Sequence, residues 1–370
     1  MSPRTVLNVS ATAYAFAVEL QEALGVPVGV IQVTAPFSTI APWIPDQALR
    51  NESRLGHVVA RTDSLVAAHR AALPDHLASL EAWLGDVEAA VAAGADVPAT
   101  PAVPVHPLAT GTEAGSLFAG MVSPLTPLAV AGVLWHQGER DLGKGASYAV
   151  LQEALVKGWR AAWRRPQLPW LSVQLPPYRY GGHRPTEKPE SEVDPLRLPE
   201  LWESQARLLE LPHTGLVGTS DLGELDEMFF PERRILGRRL SHWALARCYD
   251  KPRVYWGPTF ASAENGGPLG APLGDILGGE LAELTTVRVE LHGAAGLSTR
   301  DGGRPDWWEL SSDGEHFVMA QARLDGQSVR VWSADVPRPL VVRYGWHQEA
   351  RGNLVNGAGL PAMPFRASVR

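Results

Sequence analysis

Residues 128–139 read LAVAGVLWHQGE, and their reading decides the fold. A short, continuous apolar run without alternation is the pattern of a strand covered on both faces. It stops at the polar stretch His136-Gln137-Gly138-Glu139. Residues 147–163, SYAVLQEALVKGWRAAW, then carry apolar side chains at helical spacing. Strand, polar loop and helix in that order make an α/β unit, and loops after strands are where such folds place their chemistry.

Working outward, the same unit recurs. LPWLSVQLPPY (168–178) and GLVGTSDLG (215–223) read as further buried strands. ELWESQARLLEL (200–211) reads as a helix, as does PERRILGRRLSHWALARCY (231–249), with Pro231 expected in its first turn. Upstream, SATAYAFAVELQEALG (10–25) is a helix pattern closed by Gly25, a C-cap residue, and VPVGVIQVT (26–34) reads as a buried strand. Residues 47–107 form an expected insertion. It begins as an Ala- and Leu-rich helical region broken at Pro74 and ends in the rigid, proline-rich tail ADVPATPAVPVHP. After about Lys251 the pattern alternates, as in TTVRVELHG, QSVRVWSA and PLVVRYGW, with Gly-, Asp- and Asn-rich turns between. The expected organisation is an α/β domain over 1–250, interrupted by the 47–107 insertion, and an antiparallel, sandwich-like β-domain over 251–370.

Composition narrows the function classes. The net charge of −7 comes without any basic block, which argues against nucleic acid. One cysteine, Cys248, excludes an internal disulfide and a thiolate zinc cage. There is no HExxH spacing, no phosphate-binding loop and no dinucleotide fingerprint, so neither a metal nor a cofactor is expected. No apolar stretch is long enough to span a membrane and no leader pattern opens the chain, so the expected location is cytoplasmic.

Four segments together resemble one family: GSLFAGMVSPLTPLAVAGVLWHQGERD (115–141), YAVLQEALVKGWRAAWRRPQLPWLSVQLPPY (148–178), the region from ELWESQ to ALARCY (200–249), and VRYGWHQEARGNLVNGAGLPAMPFRAS (342–368). They are similar to carbohydrate O-acetylesterases of the sialate O-acetylesterase type. The resemblance implies the SGNH hydrolase fold, a parallel sheet between helices, with a Ser/His/Asp set acting on an acetyl ester and an oxyanion site. It also implies a carbohydrate or an acylated small molecule as ligand, and it leaves room for a protein partner.

Position by position, the residues depart from that family's pattern. Its Gly-Gln-Ser-Asn nucleophile motif has no counterpart. Its Gly-Gly-Thr block reads Phe37-Ser38-Thr39, with Trp43 kept. Ser38 is a candidate replacement nucleophile, or a loop-capping serine. Gln137-Gly138-Glu139 is intact after Trp135 and His136, followed by Arg140 and Asp141. The Asp-any-His-Pro block aligns on Pro231 as Met228 and Phe230, with Asp226 and Glu227 near by. Phenylalanine moves no proton, and losing one member of a triad costs about 10⁴-fold in rate. Three readings stay open: a degenerate esterase scaffold that keeps a cleft lined by Thr39, Trp43, Trp135, His136, Gln137, Gly138, Arg140 and Phe230; an enzyme that reuses Glu139, Asp141 or Asp226; and an acetylesterase completed by a further segment or chain.

Overall fold

The structure is a computed structural model, described here for residues 8–180, 193–228, 231–268 and 284–370. Phe230 lies outside the described residues. The chain forms two compact units. One comprises Met1–Gln32, Ala131–Ala149 and Gln167–Arg370; the other comprises Val33–Val130 and Val150–Pro166.

In the first unit, helix α1 (Ala11–Leu24) starts where the Ser10 hydroxyl accepts from the Ala13 N–H. It ends where Gly25 takes the left-handed conformation and donates to the Gln21 carbonyl. Three short strands, β1 (Val133–Trp135), β2 (Trp170–Val173) and β3 (Thr214–Val217), pair in parallel in the order β1-β2-β3. Every residue of β2 is buried, which is why its sequence shows no alternation. Helices α5 (Arg197–Ala206) and α6 (Arg233–Cys248) complete this α/β layer. Pro231 stands just before the Glu232 N-cap of α6, outside its first turn.

Gly237 lets α6 approach α1 closely. A Cβ there would sit 2.6 Å from Ala15 Cβ and 2.7 Å from the Thr12 carbonyl oxygen. Leu20 of α1 and Leu236, Leu240 and Trp243 of α6 share a core with Leu171, Val173 and Val217 of the sheet.

Residues 26–34, expected as a buried strand, join no ladder among the described residues. Val26, Val30 and Ile31 are exposed there, and so is Leu134 of β1, the edge strand. An extended apolar segment becomes a strand only where a neighbour accepts and donates its backbone bonds.

The alternating C-terminal pattern folds as expected into antiparallel sheets. One takes β4 (Thr259–Pro268), β5 (Thr285–His292), β9 (Gln321–Asp325) and β10 (Ser328–Trp332) in the order β4-β5-β10-β9. The other takes β7 (Trp308–Ser311), β8 (Val318–Met319), β11 (Val341–Tyr344) and β13 (Phe365–Ser368) in the order β13-β11-β7-β8. A small pair joins β6 (Ser298–Thr299) to β12 (Leu354–Val355). Val287, Val289, Val329 and Val331 of the first sheet pack with Trp308, Leu310, Val342 and Tyr344 of the second in one core. Asn356 fixes the closing loop. Its amide nitrogen donates to the Trp256 and Gly293 carbonyls, and its amide oxygen accepts from the Ala358 and Leu360 N–H groups.

In the second unit, helix α2 (Asp46–Asn51) leads into α3 (Gly56–Ala93), and α4 (Ala146–Ala162) passes through both units along the chain. The expected break at Pro74 is absent: α3 runs through it. Arg70 and Pro74 are both exposed, so water can satisfy the Arg70 carbonyl that the ring cannot serve.

Gly237→Ala therefore destabilises the protein by about 1–3 kcal/mol, although alanine is the better helix former. Thermal or urea unfolding checks this; an unchanged or raised stability contradicts the close helix crossing.

Candidate functional site

The loop after β1 is built around a buried carboxylate. Asp141, fully buried, closes a short 3₁₀ turn over Glu139–Asp141 by donating its N–H to the Gly138 carbonyl. Its carboxylate accepts from Gln137 Nε2 at 2.6 Å and faces Lys144 Nζ at 3.6 Å. The Tyr148 hydroxyl donates to Gln137 Oε1 at 3.1 Å. Burial and the Asp141 charge hold that phenol well above its ordinary value, so it stays a protonated donor. Gly138 fits because a side chain would meet Leu175 and Leu201 at 3.0–3.1 Å. Glu139 turns its carboxylate back to accept the Gly138 N–H at 3.1 Å.

The neighbouring strand ends are tied to this loop. Gln205 accepts from the Leu175 N–H and donates to the Val173 carbonyl and, at the 3.5 Å limit, to the Gln137 carbonyl. Thr219 donates its hydroxyl proton to the Gln174 carbonyl at 2.7 Å. Arg239 of α6 grips Asp221 with two bonds of 2.7 and 2.6 Å and donates to the Gly218 carbonyl. Such bidentate pairs fix geometry as well as charge. Asp226 is largely exposed and pairs with Arg179 at 2.6 Å; Arg179 also holds Glu349.

His136, Glu139, Tyr180 and Arg233 form an electrostatic group. The surrounding protein, and then the positive charge of Arg233, push the His136 imidazole down to about 4, although the residue as a whole is exposed. Burial lowers the Arg233 guanidinium and the Glu139 carboxylate opposes that shift. Burial, then the Glu139 charge, raise the Tyr180 phenol. A neutral imidazole, a carboxylate, a guanidinium and a phenol can bind hydroxyl-rich ligands by donating and accepting hydrogen bonds. Arg140 is exposed on the same loop, and Trp135 packs its ring 5.8 Å from that of Trp170.

In the second unit, the Ser38 hydroxyl donates to the Ala35 carbonyl at 2.8 Å and accepts from Trp43 Nε1 at 2.9 Å. The Trp43 carbonyl accepts from Trp159 Nε1 at 2.9 Å. Thr39 is half-buried beside them. Phe37, at the first glycine of the family block, keeps a left-handed φ of 57° and is 64% exposed. That conformation costs a residue with a Cβ roughly 1 kcal/mol and glycine almost nothing.

Tyr148, Tyr180, Gln205, Arg233 and Arg239 were not among the residues expected from the sequence. The one signal for them is the basic start of the last α/β helix, ERRILGRR; the others act over long sequence separations. Among the described residues no group of three or more His, Cys, Asp or Glu could hold a metal ion. Among them, too, no helix is long and apolar enough to cross a membrane.

A parallel sheet with helices, strand-end loops joined by buried amides and C-terminal antiparallel sheets are consistent with the fold of an SGNH-like esterase. Residues 113–245 match the model of the family described as carbohydrate esterase, sialic acid-specific acetylesterase. The structure is similar to that of a carbohydrate acetylesterase from Xanthomonas citri, with a TM-score of 0.72 and 25% identity. The similarity covers 99% of this chain and 67% of that one. No curated protein matches. Residues 113–245 thus resemble the sialic acid-specific acetylesterase family, and the whole fold is similar to that of a carbohydrate acetylesterase.

Two outcomes follow. The native state resists the proton that the unfolded chain takes up at His136, so stability falls as pH drops from above 6.5 towards 4. His136→Gln flattens that slope in melts recorded across this window; an unchanged slope contradicts the assigned surroundings of the ring. Phe37→Gly relieves the left-handed strain at an exposed site, so it leaves stability unchanged or raises it by up to about 1 kcal/mol. A loss above that size shows that the phenyl ring is needed for packing.

Proposed function

We propose that this chain is a degenerate carbohydrate-acetylesterase scaffold whose retained loops bind a carbohydrate or an acylated small molecule without turning it over. One observation carries the reading: each candidate catalytic side chain is engaged in bonds that hold loop backbone or balance charge. Ser38 bridges Ala35 and Trp43, Glu139 caps Gly138, Asp141 is buried against Gln137, and Asp226 pairs with Arg179. The sequence supports it independently, with Met228 and Phe230 at the family's aspartate and histidine positions and no Gly-Gln-Ser-Asn motif. Arg140, His136 and the Glu139–Arg233–Tyr180 group supply the polar contacts such a ligand needs.

A second reading, an acetylesterase completed by another polypeptide strand, draws on the edge position of β1 among the described strands and on the exposed Leu134, Val30 and Ile31. A third, a repurposed acid–base site on Glu139, Asp141 and Asp226, has no comparable support: Asp141 is buried and Asp226 largely exposed.

The purified chain is expected to show no saturable hydrolysis of nitrophenyl acetate or of an O-acetylated sialic acid above a heat-denatured control. Ligand-observed NMR with acetylated and free sugars is expected to report binding, weakened several-fold by Arg140→Ala. Saturable turnover lost in Ser38→Ala overturns the degenerate reading. Turnover lost in Glu139→Gln or Asp226→Asn favours the repurposed site. Turnover that appears only with an added polypeptide favours completion by a strand.

A further inference from the structure

Helix α3 carries an apolar stripe on its outer side. Leu73, Leu77, Leu84 and Val91 are 37%, 59%, 53% and 66% exposed. With the half-buried Leu80 and Val87 between them, they follow each other at alternating steps of four and three residues. That 4–3 spacing keeps one seam facing a partner helix. Pro74 lies about a quarter-turn away from the stripe. The return segment packs along the flank of the helix beside Leu80 and Val87, where Trp83 Nε1 donates to the Pro98 carbonyl and His106 packs on His69.

The charges choose the partner and its direction. Residues 56–74 of α3 carry Arg61, Arg70 and Asp63, a net of +1. Residues 75–93 carry Asp75, Glu81, Asp86 and Glu88, a net of −4. Asp63 is neutralised by Arg50 at 2.7 Å and Arg61 faces Glu113 at 3.6 Å. Among the described residues no ion pair is made by Arg70, Asp75, Glu81, Asp86 or Glu88.

We propose that α3 pairs antiparallel with α3 of a second copy of this chain. In that register Leu77 lies level with Leu80 of the second copy and Leu73 with Leu84. Arg70 then comes level with Val87 and within one residue, a rise of about 1.5 Å, of Glu88. The acidic half of each helix faces the less acidic half of the other. A parallel pair would bring the two acidic halves side by side, each with a net charge of −4, which is repulsive. This inference does not depend on the proposed function.

Sedimentation velocity and light scattering on the full chain test it. The wild type is expected to shift with concentration from the 39.9 kDa monomer to twice that mass. Leu77→Glu/Leu84→Glu, at exposed positions, stays monomeric with an unchanged circular dichroism spectrum and melt. Arg70→Glu weakens the dimer roughly tenfold, about threefold for each of two symmetry-related pairs, and Arg70→Glu/Glu88→Arg restores it. A wild type that stays monomeric, a dimer that survives Leu77→Glu/Leu84→Glu, or a dimer tightened by Arg70→Glu overturns the proposal.

Discussion

The hydrogen bond from Gln137 Nε2 to the Asp141 carboxylate, 2.6 Å long and buried, is the constraint on which the strand-end loops depend. An ionised carboxylate taken from water costs several kcal/mol unless donors surround it. Gln137 and Lys144 supply that surrounding only if residues 137–144 keep their shape. Gln137 has its own second partner in Tyr148, so the loop is also anchored to the first turn of α4. Removing the amide of Gln137 would leave a buried charge short of a donor, which costs more than the lost bond itself.

From that loop the order passes outward through side chains reaching backbone. Gln205 links it to the end of β2, and Thr219 links the end of β2 to the loop after β3. Arg239 then pins that loop to α6 through Asp221 and Gly218. The result is a bonded platform in which Asp141 is buried and Glu139 accepts the Gly138 N–H. The proposed function assigns the exposed side chains of His136 and Arg140 to recognition by hydrogen bonding. In the proposed function the scaffold and the cleft chemistry outlast the proton-transfer machinery, which a fold alone does not guarantee.

Much of this was legible in the sequence, and where it was not, the reason is physical. The α1 helix and its Gly25 cap, the buried parallel strands β2 and β3 and the alternating C-terminal sheets follow from local pattern, whereas β1 reads as covered on both faces and leaves Leu134 exposed. Residues 26–34 carry a strand's pattern, but pairing depends on a neighbour that pattern cannot supply. Pro74 reads as a breaker because the sequence does not show that Arg70 is exposed. Ser38, Glu139 and Asp226 read equally well as chemical or structural groups, since only their partners distinguish the two. Gln205 and Arg239 are silent in the sequence. Nothing local marks a helix glutamine 68 residues from the Gln137 carbonyl it approaches.

Covalent trapping of a nucleophile probes the central claim most directly. Incubation of the purified chain with a fluorophosphonate, followed by intact mass spectrometry, needs no knowledge of the natural ligand. An activated serine reacts whether or not a good substrate is at hand. The account predicts an unchanged mass after prolonged exposure. A single phosphonyl adduct, absent when the chain is heat-denatured before labelling and mapped to Ser38 or any other serine, would contradict it.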